Sequence, residues 1–255
     1  MTDETTGQQP LVRVDAGEVG VVTLCRPPVN ALSTELRAQL TDALNALVAS
    51  DSSVIVIRGE GRGFCAGADI KEFAGRGGDP VRTMSSLSAG TRFWDAVYDV
   101  QVPVVAALHG FAVGAGLVLS SLCDFRIAAE SCTLSMPEIE VGISVAGGGS
   151  QLRRLGLREG FLRELLLVGD TVTADRAHRE GLVDQVLPDE GFHEAVLDWA
   201  KRLARHGRPS LLAMKAAVNL TEAAPEWRSG NALTRGLSLG FVEAGAHRRT
   251  AGGAV

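Results

Sequence analysis

Two glycine-punctuated stretches are the parts of this sequence best suited to chemistry. They are Gly63-Phe-Cys-Ala-Gly-Ala-Asp-Ile-Lys71 and His109-Gly-Phe-Ala-Val-Gly-Ala-Gly116. Each follows a short apolar, β-branched run and leads into a helical pattern, so each is a strand-to-helix turn. The first turns of a helix leave backbone N–H groups without intrahelical acceptors. Two such donors converging on one point form an oxyanion hole, which stabilises negative charge developing on a carbonyl oxygen. Other chemistries find less support. The four cysteines, Cys25, Cys65, Cys123 and Cys132, form no C-x-x-C pair, and no histidine pair has zinc-ligand spacing. Reduced thiols of a cytoplasmic protein are the expectation. With 25 basic and 30 acidic residues interspersed, for a net charge of −5, the chain carries no nucleic-acid footprint.

The elements that must hold these turns can be read from the same pattern. The chain has 255 residues, 30 of them glycine, with 45% hydrophobic residues and no G-x-y period. That composition excludes collagen and argues against disorder, and it leaves the glycines to local turns and close backbone approaches. Residues 1 to 10 are a polar tail with neither secretory nor transit-peptide character. Strands are expected at Leu11 to Val14, Val19 to Leu24, Val54 to Arg58, Val104 to Leu108 and Phe125 to Ala128. Ser33 caps a helix running to Ala49, a loop spans 75–80, and a second helix covers Val81 to Tyr98. The apolar run Val102 to Cys123 contains His109, three glycines and a serine pair, so a buried strand, turn and helix explain it better than a membrane span. Beyond Gly160 the pattern is helical only, over about 161–168, 174–181, 191–205, 209–222 and 229–246. Alternating strands and helices followed by helices predict an α/β core, mainly parallel, with a helical region behind it.

Taken alone, the second turn resembles the dinucleotide fingerprint of short-chain dehydrogenases. That fingerprint belongs on the first strand, not a hundred residues in. The general acid should be a tyrosine with lysine four residues later. The single tyrosine is Tyr98, and Val102 stands four residues on.

Both turns together resemble the crotonase superfamily of enoyl-CoA hydratases and isomerases. The matching pieces are Arg26 to Leu32, Phe64 to Phe73, Pro103 to Asp124, Met136 to Gln151, Arg176-Ala177, and Gly181 to Asp184. The resemblance implies an α/β fold of the ClpP/crotonase type: a spiral of ββα units with a C-terminal helical trimerisation region. The expected division is a tail (1–10), a core (11–190) and a helical oligomerisation region (191–255). It implies that an acyl-CoA thioester carbonyl sits between the N–H groups of Ala68 and Ala115, with glycine more usual at position 115. Ala66, Ala68, Asp69, Ile70, Lys71 and Gly114 match the segments that cradle the CoA thioester, and Arg26 matches a residue near the CoA phosphates. Glu138, after Pro137, stands in the place of the catalytic glutamate. A carboxylate buried beside an acyl chain has the raised pKa that an acid/base needs.

Two departures matter. Hydratases of the family carry a second glutamate two residues after the last glycine of the second turn, and here that residue is Val118. Two carboxylates help to hold and activate one water, whereas one base suffices to move a proton from carbon 2 to carbon 4. The single glutamate therefore favours double-bond isomerisation over hydration. Asp69 and Glu72 stand near enough in sequence to supply a second polar group. Binding without turnover, and other enolate reactions such as decarboxylation or thioester hydrolysis, are the alternatives. The second departure is the C-terminus, where a family segment of the CoA site is missing or degenerate; Arg248 and Arg249 there read as part of a frayed tail, with electrostatic substitution at the CoA phosphates as the alternative. The remaining expectations are a homotrimer or hexamer, a cytoplasmic location, no nucleic-acid or membrane partner, and no metal or cofactor apart from the coenzyme A of the substrate.

Overall fold

A computed structural model describes residues 9–74, 90–141 and 148–221. The expected loop at 75–80, residues 81–89 of the second helix, the 229–246 helix, Arg248 and Arg249 lie outside the described residues.

Strands β1 (Val12–Asp15) and β2 (Val19–Leu24) form an antiparallel pair. Helix α1 (Thr34–Ala49) follows, and the Ser33 hydroxyl accepts a hydrogen bond from the Leu36 N–H, as a cap should. Its buried residues, Leu36, Leu40, Ala43, Leu44 and Leu47, recur at helical spacing and face the sheet. Next come β3 (Val54–Gly59), the short α2 (Ile70–Ala74), α3 (described over 90–98) and β4 (Val104–Leu108). The chain continues with β5 (Phe111–Val113), α4 (Ala115–Ser121), β6 (Phe125–Ala129), β7 (Thr133–Ser135) and a 3₁₀ turn at Pro137–Ile139. After these lie α5 (Gly148–Arg154), α6 (Glu159–Leu167), β8 (Val172–Thr173), α7 (Ala174–Arg179), β9 (Gln185–Leu187), α8 (Phe192–Ala204) and α9 (Arg208–Thr221).

The main sheet has the order β1-β2-β3-β4-β6-β9, and every pair after the first is parallel. Its central strands are nearly continuous apolar runs because helices or a second layer cover both faces. The second layer contains β5, β7 and β8. Isolated parallel pairings extend it, Cys65 with Ala112 and Leu32 with Ala68. Successive turns of chain therefore add one strand to the main sheet and one rung to the second layer. This is the expected spiral of ββα units.

The helices-only expectation beyond Gly160 is corrected. β8 pairs with β7, and β9 extends the main sheet beside β6. Both strands are so short that only their distant partners define them. Helix α8 lies against β2, β3 and β4, burying Phe192, Val196, Ala200 and Ala204 along one stripe. Helix α9 is tied down by Lys215, whose ammonium donates to the Val102 carbonyl and pairs with Asp124 at 2.6 Å. Among the described residues no helix is long and apolar enough to cross a membrane. The run Val102 to Cys123 is instead β4, β5 and α4.

Candidate functional site

The turn after β3 is held from several sides. The Phe64 N–H donates to the carbonyls of His109 and Phe111, and the Ala66 N–H donates to the Val29 carbonyl. Asn30, buried, donates through its side-chain amide to the carbonyls of Glu60 and Gly63, both at 2.9 Å. The second turn is tied to the first where the Val113 N–H donates to the Cys65 carbonyl at 2.9 Å. It is tied to β7 where the Gly114 N–H donates to the Ser135 carbonyl, also at 2.9 Å. Three consecutive units of the spiral thus meet at Gly114.

The turns approach as closely as backbone permits. A Cβ on Gly67 would lie 2.8 Å from the Val113 carbonyl oxygen and 3.3 Å from the Ala115 nitrogen. Gly67 also has φ +94°, a left-handed conformation that glycine adopts without strain. The Ala68 and Ala115 N–H groups therefore emerge from adjoining segments, and neither has an acceptor among the described residues. Ala115 is the first residue of α4, where an unpaired N–H is expected.

Glu138 reaches the same place from the other side. Strand β7 ends at Ser135, and the 3₁₀ turn begins with Pro137, so Glu138 projects next to Gly114. A Cβ on Gly114 would stand 2.6 Å from Glu138 Oε1. The second oxygen, Oε2, is buried and has no hydrogen-bond partner among the described residues. Burial pushes the Glu138 carboxyl above the usual carboxylate range, and a bond from its own backbone N–H offsets only part of that. Val118 lies one helical turn beyond Gly114 on α4 and is 4% exposed. It brings no polar group to the cluster.

Arg26 and Asp69 are brought together across 43 residues of sequence, with a guanidinium–carboxylate distance of 2.5 Å. Asp69 also accepts from the N–H groups of Lys71 and Glu72 and so caps α2. Burial alone would raise its pKa, but the Glu72 N–H and the Arg26 guanidinium hold the carboxyl below its ordinary value. Glu72 accepts from the Thr34 N–H and hydroxyl. Both acids are thus engaged, Asp69 with Arg26 and the start of α2, and Glu72 with Thr34. The Ile70 side chain is 69% exposed and Lys71 is exposed. Ala66 is half-buried and Ala68 is exposed.

Sequence reasoning assigned no role to Asn30 or Cys65, both of which brace the turns. Asn30 stood within a matching segment, but its two carbonyl partners lie 30 and 33 residues away. Among the described residues no group of three histidine, cysteine or acidic side chains could hold a metal ion.

Comparison with known proteins bears on the family and the fold. The enoyl-CoA hydratase/isomerase family profile matches residues 15–235. A Rhizobium meliloti (strain 1021) protein named probable enoyl-CoA hydratase is 37% identical over 205 residues, covering 80% of this chain and 78% of that protein. The 2,3-dehydroadipyl-CoA hydratase of Escherichia coli (strain K12) is 35% identical over 204 residues, covering 79% and 78% respectively. The crystal structure of an enoyl-CoA hydratase/carnithine racemase from Magnetospirillum magneticum superposes with a TM-score of 0.80 at 28% identity, covering 86% of this chain and 83% of that one. With its spiral of ββα units and its two facing turns, the chain belongs to the enoyl-CoA hydratase/isomerase family of the crotonase superfamily.

Proposed function

We propose that this protein is an acyl-CoA enzyme that shifts a double bond through a thioester enolate, using Glu138 as its single acid/base. The observation that carries this reading is the half-buried Glu138 carboxylate, held against Gly114 with one oxygen unpartnered and its pKa raised. A proton on carbon 2 of a thioester is weakly acidic, and its removal builds negative charge on the carbonyl oxygen. The Ala68 and Ala115 N–H groups are the donors for that oxygen, and one such donor is typically worth about 3 kcal/mol. Glu138 takes the proton from carbon 2 and returns it to carbon 4. Arg26, Asp69 and the backbone of residues 66–71 form the CoA side of the site, with Arg26 and Asp69 fixing that segment through each other. Coenzyme A enters as part of the substrate, and the reaction needs no other cofactor.

Hydration is disfavoured because Val118 offers no second carboxylate and both Asp69 and Glu72 are engaged. Without the second acid/base, water addition should be about 10²–10⁴-fold slower than a paired site allows. Most of the similar relatives carry hydratase names, so hydration is the competing reading. Supplying the purified protein with a 3-enoyl-CoA and a 2-enoyl-CoA in parallel decides between them. The expected result is rapid conversion of the first to its 2-enoyl isomer and slow hydration of the second. Glu138→Gln should abolish turnover and leave acyl-CoA affinity largely intact. Fast hydration, or an active Glu138→Gln variant, would overturn the reading. Binding of both thioesters with consumption of neither would make the protein an acyl-CoA binder.

A further inference from the structure

We infer that Cys65 is a positioning residue that holds the two donor turns in register. The inference rests on the reading of Ala68 and Ala115 as donors to a thioester carbonyl. Cys65 is fully buried at the junction of the turns, and each of its polar atoms is used there. Its N–H donates to the Phe111 carbonyl and its carbonyl accepts from the Val113 N–H, binding the first turn to β5. Its Sγ accepts from the Gly67 N–H at 3.4 Å, one residue before Ala68. On the other side, a Cβ on Gly116 would lie 2.9 Å from the same Sγ and 2.5 Å from the Cys65 carbonyl oxygen, one residue after Ala115. One side chain thus touches the immediate neighbour of each donor, and the separation of the donors depends on what occupies position 65.

The thiol suits this place electrostatically. Burial pushes it up to about 12, so it stays neutral at working pH. A thiolate here would place a negative charge near the developing enolate and repel it. Sulfur is also large enough to fill the space between Gly67 and Gly116 while still accepting a hydrogen bond.

The test uses three variants of the full chain and two non-reacting ligands, a saturated acyl-CoA thioester and the matching S-alkyl-CoA thioether that lacks the carbonyl. The ratio of their dissociation constants reports on the donors alone. Cys65→Ala removes the acceptor and the volume, Cys65→Val removes the acceptor and keeps the volume, and Cys65→Ser keeps an acceptor. The parent should prefer the thioester. The alanine and valine variants should lose about three- to tenfold of that preference, and a similar factor in kcat, with thioether affinity unchanged. Serine should retain the preference to within about twofold. Alanine and valine variants that keep the parent's preference would overturn the role of Cys65. So would a loss that falls equally on the thioether, which marks general damage. A parent protein with no thioester preference would overturn the donor reading itself, and the inference with it.

Discussion

Gly114→Ala gives a direct test of how the site is built. Gly114 has φ +53°, which an alanine adopts only under strain. Its new Cβ would also stand 2.6 Å from Glu138 Oε1, about 1 Å inside ordinary van der Waals contact. The backbone strain should cost about 1–3 kcal/mol of stability. In a chain of this size that lowers Tm by about 3–9 °C. The carboxylate is the softer partner and should swing away. Displacing a reacting group by about 1 Å costs about 10²-fold in rate, and complete loss of the acid/base costs up to about 10⁴-fold. The displaced carboxyl also leaves the burial that raised its pKa, so the acidic limb of the pH–rate profile should move to lower pH. The assay is 3-enoyl-CoA turnover against pH, with thermal unfolding measured in parallel. A variant that loses stability yet keeps the parent's kcat and acidic limb would refute the claim that Gly114 makes room for a catalytic Glu138.

Three further predictions follow from the same observations. Because burial raises the Glu138 carboxyl above 4.5, the folded state keeps its proton after the unfolded state has lost it, and stability declines as pH rises from about 4.5 through the folded pKa. Glu138→Gln should therefore match the parent in urea titrations below that window and exceed it above; a constant difference at every pH would contradict the assignment. Val118→Glu should raise hydration of a 2-enoyl-CoA at least tenfold, if the missing acid/base is what limits it; unchanged hydration would show that something else does. Lys215→Met should cost about 3 kcal/mol in urea unfolding, because it leaves Asp124 without its cation at a mostly buried pair. A change under about 0.5 kcal/mol, the range of ordinary surface substitutions, would show that α9 is held by other contacts.

The sequence was most legible where a local signal and burial agree. β2 and β4 match their apolar runs, and α1 begins at the Ser33 cap. It was least legible in the second layer. β5 was expected as part of a turn, because Phe111, Ala112 and Val113 become a strand only through pairing with β7. β7 and β8 meet across 40 residues through Thr133 and Thr173, and nothing within either segment announces the other. The site divides in the same way. The glycine turns advertise exposed donors locally, but a Pro-Glu dipeptide does not advertise an acid/base. Only the family resemblance pointed to Glu138, and its approach to Gly114 is one that no spacing rule contains. The Arg26–Asp69 pair was likewise hidden, since each charge alone reads as solvated surface.

The pairing of Cys65 with Ala112 bears on how much change this scaffold tolerates. Ala68 and Ala115 each lie three residues beyond that pair, and the segments stay close there, a Cβ on Gly67 falling 3.3 Å from the Ala115 nitrogen. Neighbouring strands run about 4.8 Å apart. Two N–H groups that both bond one oxygen at about 2.9 Å must lie within about 5.8 Å of each other. The span that one acceptor oxygen requires is therefore close to the pitch of a β-sheet, set by main-chain pairing that the Cys65 side chain keeps in register. Alanine can replace glycine at position 115 and valine can stand at 118 without altering that pitch. On the proposed reading, side chains at such positions can change which proton moves and where water is admitted, while the main-chain means of holding the carbonyl stays the same.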